Sequence, residues 1–161
     1  MGNAVAKSHG VVTGGLSYTV LMVLAGVLAF FFLRPYFLPA SAYFTVPRID
    51  VQNFGQDEDW STVRVSYPRT VHKTVSGDWT VEMVSVGSGV SVCQGNGSHK
   101  YIQKSNVRDN LLNLEWYLGN ACEVSPGEYQ LFTRWDFHPH RFVTKRVEQT
   151  SNIFRVTPQD N

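Results

Sequence analysis

Two cysteines, a His-Pro-His triplet and an Asn-Gly-Ser triplet are the residues of this chain whose types and spacing could do chemistry. Cys93 and Cys122 enclose 28 residues, positions 94 to 121. In an oxidising compartment they would pair, and loop-closure entropy makes such a bridge worth roughly 3–4 kcal/mol. In a reducing compartment they would be two buried thiols. Zinc fits poorly, because neither cysteine has CxxC spacing and the nearest histidine is His99. His138 and His140 flank Pro139. Residues i and i+2 of an extended strand share a face, and Asp136 has the same parity, so Asp136, His138 and His140 are the candidate metal ligands. The plainer reading is a polar strand end, with Pro139 closing the ladder. Asn96-Gly97-Ser98 fits the glycosylation sequon and equally fits a turn.

Other reaction classes lack their residues. No G-x-S-x-G, H-E-x-x-H or phosphate-binding glycine pattern occurs, and "GNGSHK" has neither the spacing nor the following helix of a P-loop. The expectation is a protein that is no enzyme and carries no cofactor. The formal net charge is +1, which offers no electrostatic footprint for nucleic acid. Aromatic rings and arginines are favoured at protein interfaces, so Phe132, Arg134, Arg141 and Phe142 form the candidate docking surface.

Two different physical objects must position these residues. Residues 1 to 33 carry Lys7 and no acid; the remainder holds the other 13 basic and all 13 acidic residues, a formal charge of 13 − 13 = 0. Residues 11 to 33 are uncharged. As a helix they would extend about 34 Å, enough to cross a hydrocarbon core of about 30 Å. The run shows no polar face, so the spacing predicts a transmembrane helix over 11–34 after a short tail, 1–10. A cleaved signal peptide competes with that reading, since Ala40-Ser41-Ala42 resembles a small-residue cleavage site. Against it, the run is long for a signal core, and Arg34, Tyr36 and Phe37 intervene.

Pro35, Pro39 and Pro47 are expected to end the helix and make 35–47 an extended tether. Tyr36, Phe37, Tyr43 and Phe44 are the expected anchors at the headgroup layer. Ala25 and Ala29 make a small-xxx-small pair that would let a second helix approach closely. Lys7 on one side and Arg34 with Arg48 on the other leave the positive-inside count undecided. Both cysteines lie beyond the span, and the tail before it is short. These features place the N-terminus in the cytoplasm and the C-terminal domain outside, in the periplasm or beyond the cell.

Residues 48–161 read as strands. "EYQLFTRWDF" puts Tyr129, Leu131, Thr133, Trp135 and Phe137 on one face, with Glu128, Gln130, Arg134 and Asp136 on the other. "STVRVSY" (61–67), "WTVEMVSV" (79–86), "GVSVC" (89–93), "LLNLEWYL" (111–118) and "SNIFRV" (151–156) complete the set. The turn clusters are "SGD" at 76–78, "GSG" at 87–89, "GNGS" at 95–98 and "SPGE" at 125–128. "CQGNGSHKY" therefore reads as a strand ending at Cys93, a Gly-Asn-Gly turn and a return near Tyr101. Short strands with such punctuation predict an all-β antiparallel sandwich.

"PGEYQLFTRW" followed by "SNIFRV" resembles the last two strands of immunoglobulin-like sandwiches. The chain departs from the antibody pattern: Trp116 stands only six residues before Cys122, and Asn120 occupies the position of the usual Tyr. In layout it resembles small single-span membrane proteins of bacteria and phages with an immunoglobulin-like exterior domain. That resemblance implies a non-catalytic interaction module or accessory subunit, held in the bilayer through 11–34 beside a protein partner. The alternatives are an adhesin-like or receptor-like ligand-binding domain, and a membrane-tethered metal carrier or enzyme.

Overall fold

A computed structural model describes residues 12–103, 111–119 and 122–158, the side chains of 12–17 excepted. The tail 1–10 and Asn120 lie outside the described residues. Two compact units make up the chain, 1–38 and 39–161.

The first unit contains one helix, α1 (Val12–Phe37), of 26 residues. At 1.5 Å per residue it is roughly 39 Å long. Every described side chain from Tyr18 to Arg34 is exposed. Tyr18–Phe37 is the one helical stretch among the described residues long and apolar enough to cross a membrane. Ala25 and Ala29 are exposed on it. Pro35 does not stop it, contrary to expectation: the proline lies in the last turn, and the Leu38 N–H still reaches the Arg34 carbonyl at 3.2 Å. A proline there removes one terminal bond rather than an interior one.

The second unit is predominantly β. Its large sheet runs in the order β3 (Phe54–Gly55), β11 (Phe154–Thr157), β9 (Gly127–His140), β6 (Val75–Ser85), β7 (Ser91–Tyr101), with β10 (Val143–Thr150) also on β9. β9 is long enough to share one edge between two partners, β11 along its start and β10 along the rest. Two hairpins, β6–β7 and β9–β10, are joined by the antiparallel β6–β9 pairing, while β3 and β11 run parallel. Two small sheets complete the unit: β1 (Phe44–Thr45) with β5 (Thr70–Val71), and β2 (Asp50–Val51), β4 (Arg64–Ser66) and β8 (Leu111–Asn113).

β9 buries Tyr129, Leu131, Thr133, Trp135 and Phe137, the face that its alternation predicted. Against it pack rings from the small sheets. Phe44 is fully buried and stands 4.7 Å from Phe137, 5.0 Å from Tyr101 and 5.7 Å from Trp135, measured between ring centroids. Such pairs add about 0.5–1.5 kcal/mol each beyond the area they bury. This corrects the role given to Tyr43 and Phe44: both are core residues, with Tyr43 5% and Phe44 0% exposed, and so are unavailable to a lipid headgroup. Tyr36 and Phe37 remain exposed at the end of α1. The supposed tether is likewise divided. Residues 35–37 finish the helix, and from Pro39 the chain belongs to the β unit, with Ala40-Ser41-Ala42 forming a 3-10 turn.

Three expected turns or strands also differ. "LLNLEWYL" is β8 followed by a short helix, α2 (Leu114–Leu118). Asn113 caps it by accepting the Trp116 N–H at 2.8 Å, and Gly119 ends it with φ 81°. "SGD" lies inside β6, and "CQGNGSHKY" lies wholly inside β7, with no turn at either place. The glycines are there for close approach. A Cβ on Gly95 would sit 2.5 Å from the Tyr117 carbonyl oxygen and 2.7 Å from the Leu118 backbone, because α2 lies directly on β7. One on Gly97 would meet the Trp79 indole at 2.8 Å, and one on Gly77 the Phe137 ring at 2.7 Å. The true hairpin turn is "GSG", where Gly89 has φ 69°.

Gly95→Ala is therefore expected to destabilise the chain by about 1–3 kcal/mol, since backbone must move to admit the methyl. Gly87→Ala, where nothing lies within 4 Å, is expected to be near neutral. Urea unfolding of both variants in detergent checks the contrast; equal midpoints would refute it.

Candidate functional site

The β unit holds an aromatic cleft of about 210 Å³. Its residues come from five elements and one loop, with Leu112 supplied by β8. Tyr67 and Arg69 lie between β4 and β5, Trp79 is on β6, His99 and Tyr101 are on β7, Trp116 and Tyr117 are on α2, and Trp135 is on β9. Trp79 stacks with Trp116 at 5.6 Å and with Tyr117 at 5.5 Å. Tyr117 also stacks with Tyr67 at 5.8 Å. Its hydroxyl donates to Thr133 Oγ1 at 2.9 Å, which satisfies the buried threonine. Burial pushes the Tyr117 phenol well above its ordinary value, with the Thr133 hydrogen bond opposing. Burial, then Tyr67, does the same to Tyr101, against the opposing charge of Arg69.

Arg69 is the cation in this aromatic setting. Its guanidinium lies 5.4 Å from the ring centroid of Tyr67 and 5.4 Å from that of Tyr101. Both contacts are within cation–π range. Nη1 donates to the Tyr67 hydroxyl at 2.8 Å. Nε is buried and has no hydrogen-bond acceptor among the described residues. None of the described side chains that line the cleft is acidic. Tyr67 and Arg69 flank Pro68, whose extended bias places i and i+2 on one side. The cleft was missed in the sequence because its walls are separated by long stretches of chain.

The outer face of the large sheet is polar. Asp78 on β6 stands opposite Ser98 on β7 and opposite Asp136 on β9. Like charges directly opposite each other repel, and each carboxylate has its own compensation. Asp136 accepts from Arg146 Nε at 2.8 Å and lies 3.3 Å from Arg134 Nε. Asp78 accepts from Ser98 Oγ at 2.6 Å and lies 3.1 Å from His138 Nε2, whose ring also meets Thr144 at 3.3 Å. The aspartate stands between serine and histidine. A nucleophilic triad needs the histidine between the other two, so this row does not activate Ser98.

Asp136 and His138 are thus engaged by Arg146, Arg134, Asp78 and Thr144 rather than converging with His140 on one point. Among the described residues no three His, Cys, Asp or Glu side chains gather to hold a metal. His140 packs beside Phe142, at 5.7 Å between rings. Asn96 is exposed, in mid-strand opposite Thr80. Phe132 and Arg134 lie on the outer sheet face, between Glu82 and Thr150 and between Thr80 and Glu148 respectively. Arg141 and Phe142 form a cation–π pair, 4.5 Å apart, at the tip of the β9–β10 hairpin. Seven residues of strand, roughly 23 Å, separate Arg134 from Arg141, so the four do not make one patch. Cys93 and Cys122 form a disulfide, with Cα atoms 5.9 Å apart. It ties the edge strand β7 to the segment that follows α2.

No family model matches the chain, and no curated protein matches its sequence. The crystal structure of CopC from Methylosinus trichosporium OB3b is similar over 74% of this chain and 98% of that one, with 17% identity and a TM-score of 0.38. At that score the likeness supports no functional reading.

Ser98 first, then His138, holds the Asp78 carboxyl below its ordinary value. A carboxylate depressed in this way contributes stability that is present above about pH 3.9 and lost as pH falls through its lower folded value. Ser98→Ala is expected to raise the Asp78 value toward the ordinary one and to move acid unfolding to higher pH. Carboxyl NMR titration checks this, and an unmoved Asp78 would contradict it.

Proposed function

We propose that this chain is a single-pass, membrane-anchored binding module, with its β unit outside the cytoplasm. The observation that carries the reading is the pairing of α1, apolar and exposed throughout its described side chains, with a disulfide in the second unit. An exposed apolar helix of that length suits a lipid solvent. Disulfides persist in oxidising compartments. Pairing of Cys93 with Cys122 therefore supports the periplasm or cell exterior for the β unit and the cytoplasm for the N-terminus.

The β unit acts by presenting a surface, as an accessory subunit of a membrane or envelope assembly. An immunoglobulin-like sandwich is the finer fold in this proposal. The two hairpins joined by β6–β9 support it, while the disulfide departs from the antibody pattern by joining an edge strand to a loop. The Arg69 cleft favours a second reading, a receptor-like domain for a soluble ligand, because it combines stacked rings with an unpaired donor. Neither reading calls for catalysis.

The two readings separate on solubilisation in mild detergent. An accessory subunit is expected to co-purify with a membrane partner at fixed stoichiometry. A chain that runs alone as a monomer would overturn the subunit reading.

A further inference from the structure

We propose that the Arg69 cleft binds a small carboxylate borne on a flat apolar ring. The inference deepens the ligand-binding reading above and rests on it.

The charge argument comes from the fate of the arginines. Arg48, Arg134, Arg146 and Arg155 each have a carboxylate within 4.0 Å. Arg69 has no such partner among the described residues; Arg34, Arg64 and Arg141 have none either, but those three are exposed, whereas Arg69 is partly buried between Tyr67 and Tyr101. Its neighbours can stabilise the positive charge through their ring faces but can accept few of its protons. Nη1 is used on Tyr67, and Nε is buried without an acceptor. A buried donor without a partner is disfavoured, more so on a charged group. Nε and the adjacent Nη2 form one edge of the guanidinium fork, the edge that matches the two oxygens of a carboxylate. The incoming group must be an anion that supplies what the walls lack.

The shape argument sets what carries the anion. The walls are ring faces, and Trp116 is 55% exposed while stacked on Trp79. A large ring so exposed in a cleft offers a face for stacking. The volume, about 210 Å³, falls below the roughly 300–1,000 Å³ of sites for drug-sized ligands. That leaves room for one ring and its carboxylate. A free aromatic acid and the C-terminal residue of a peptide ending in an aromatic present this same chemistry.

Calorimetric titration of the full chain in non-ionic detergent tests the proposal with benzoate, benzamide and acetate. Benzoate is expected to bind saturably, and benzamide and acetate at least tenfold more weakly. Arg69→Gln is expected to weaken benzoate at least tenfold. Trp116→Ala removes a half-exposed ring; it is expected to weaken benzoate at least threefold while the chain still folds, as judged by circular dichroism. If Arg69→Gln fails to fold, the acid–amide comparison on the natural chain and the Trp116 variant still decide. Gly-Gly-Phe and its C-terminal amide identify the source: tighter binding of the tripeptide acid assigns a peptide end, and tighter benzoate a free acid. Benzamide binding as well as benzoate, or no saturable benzoate binding to the folded chain, overturns the proposal. Either failure leaves the membrane-anchored reading intact, because that reading stands on the compartment of the β unit.

Discussion

The close approach of α2 to β7 is the constraint on which the rest of the β unit depends. It exists because Gly95 has no side chain, and because any Cβ there would overlap the Tyr117 and Leu118 backbone. With the helix seated, Tyr117 and Trp116 both stack with Trp79, and the Tyr117 hydroxyl reaches Thr133 on β9. One short helix thereby ties β6, β7 and β9 together. The disulfide acts on the same element. Cys93 lies two residues before Gly95 on β7, and Cys122 follows the helix after its Gly119 cap. A glycine admits the helix, an αL glycine turns the chain out of it, and a covalent bond returns the chain to the strand it covers.

The cleft is a consequence of that seating. It is lined by the α2 rings and Trp79 together with Tyr67, Tyr101 and the Arg69 cation. Trp135 lines it too, and also packs against Phe44 and so belongs to the core. Concavity, stacked faces and a guanidinium with no carboxylate among the described residues therefore come from residues that also pack the β unit. The outer sheet face is different in kind. Its aspartates pair with Arg134, Arg146 and His138 across strands, which leaves a solvated polar surface.

What could be read in the sequence was what strict periodicity marks. β9 alternates over its length and buries the predicted residues, because burying one face forces a period of two. The apolar run of α1 was legible for a similar reason, since composition alone marks a long apolar helix. β7 was not legible. Glycine serves both turns and close packing, and only the partner across the gap distinguishes them: "GSG" is a turn with Gly89 at positive φ, while Gly95 and Gly97 are strand glycines beneath a helix and an indole. α2 was missed because five residues are too few to show a helical period, although Asn113 and Gly119 are recognisable caps. Tyr43 and Phe44 read as interface rings because aromatic residues near a span resemble a belt; tertiary burial of Phe44 against Phe137 and Trp135 decided otherwise. The cleft could not have been assembled from spacing, since Arg69 and Trp135 stand far apart in the chain.

The central claim joins a structural fact to a compartment: the bridge between Cys93 and Cys122 belongs to a β unit outside the cytoplasm. Thiol labelling of intact cells with an impermeant reagent tests it most directly, with and without prior reduction. The account predicts no labelling of either cysteine before reduction and labelling of both after it, without lysis. Free reaction of both thiols without reductant, and only after lysis, would contradict it.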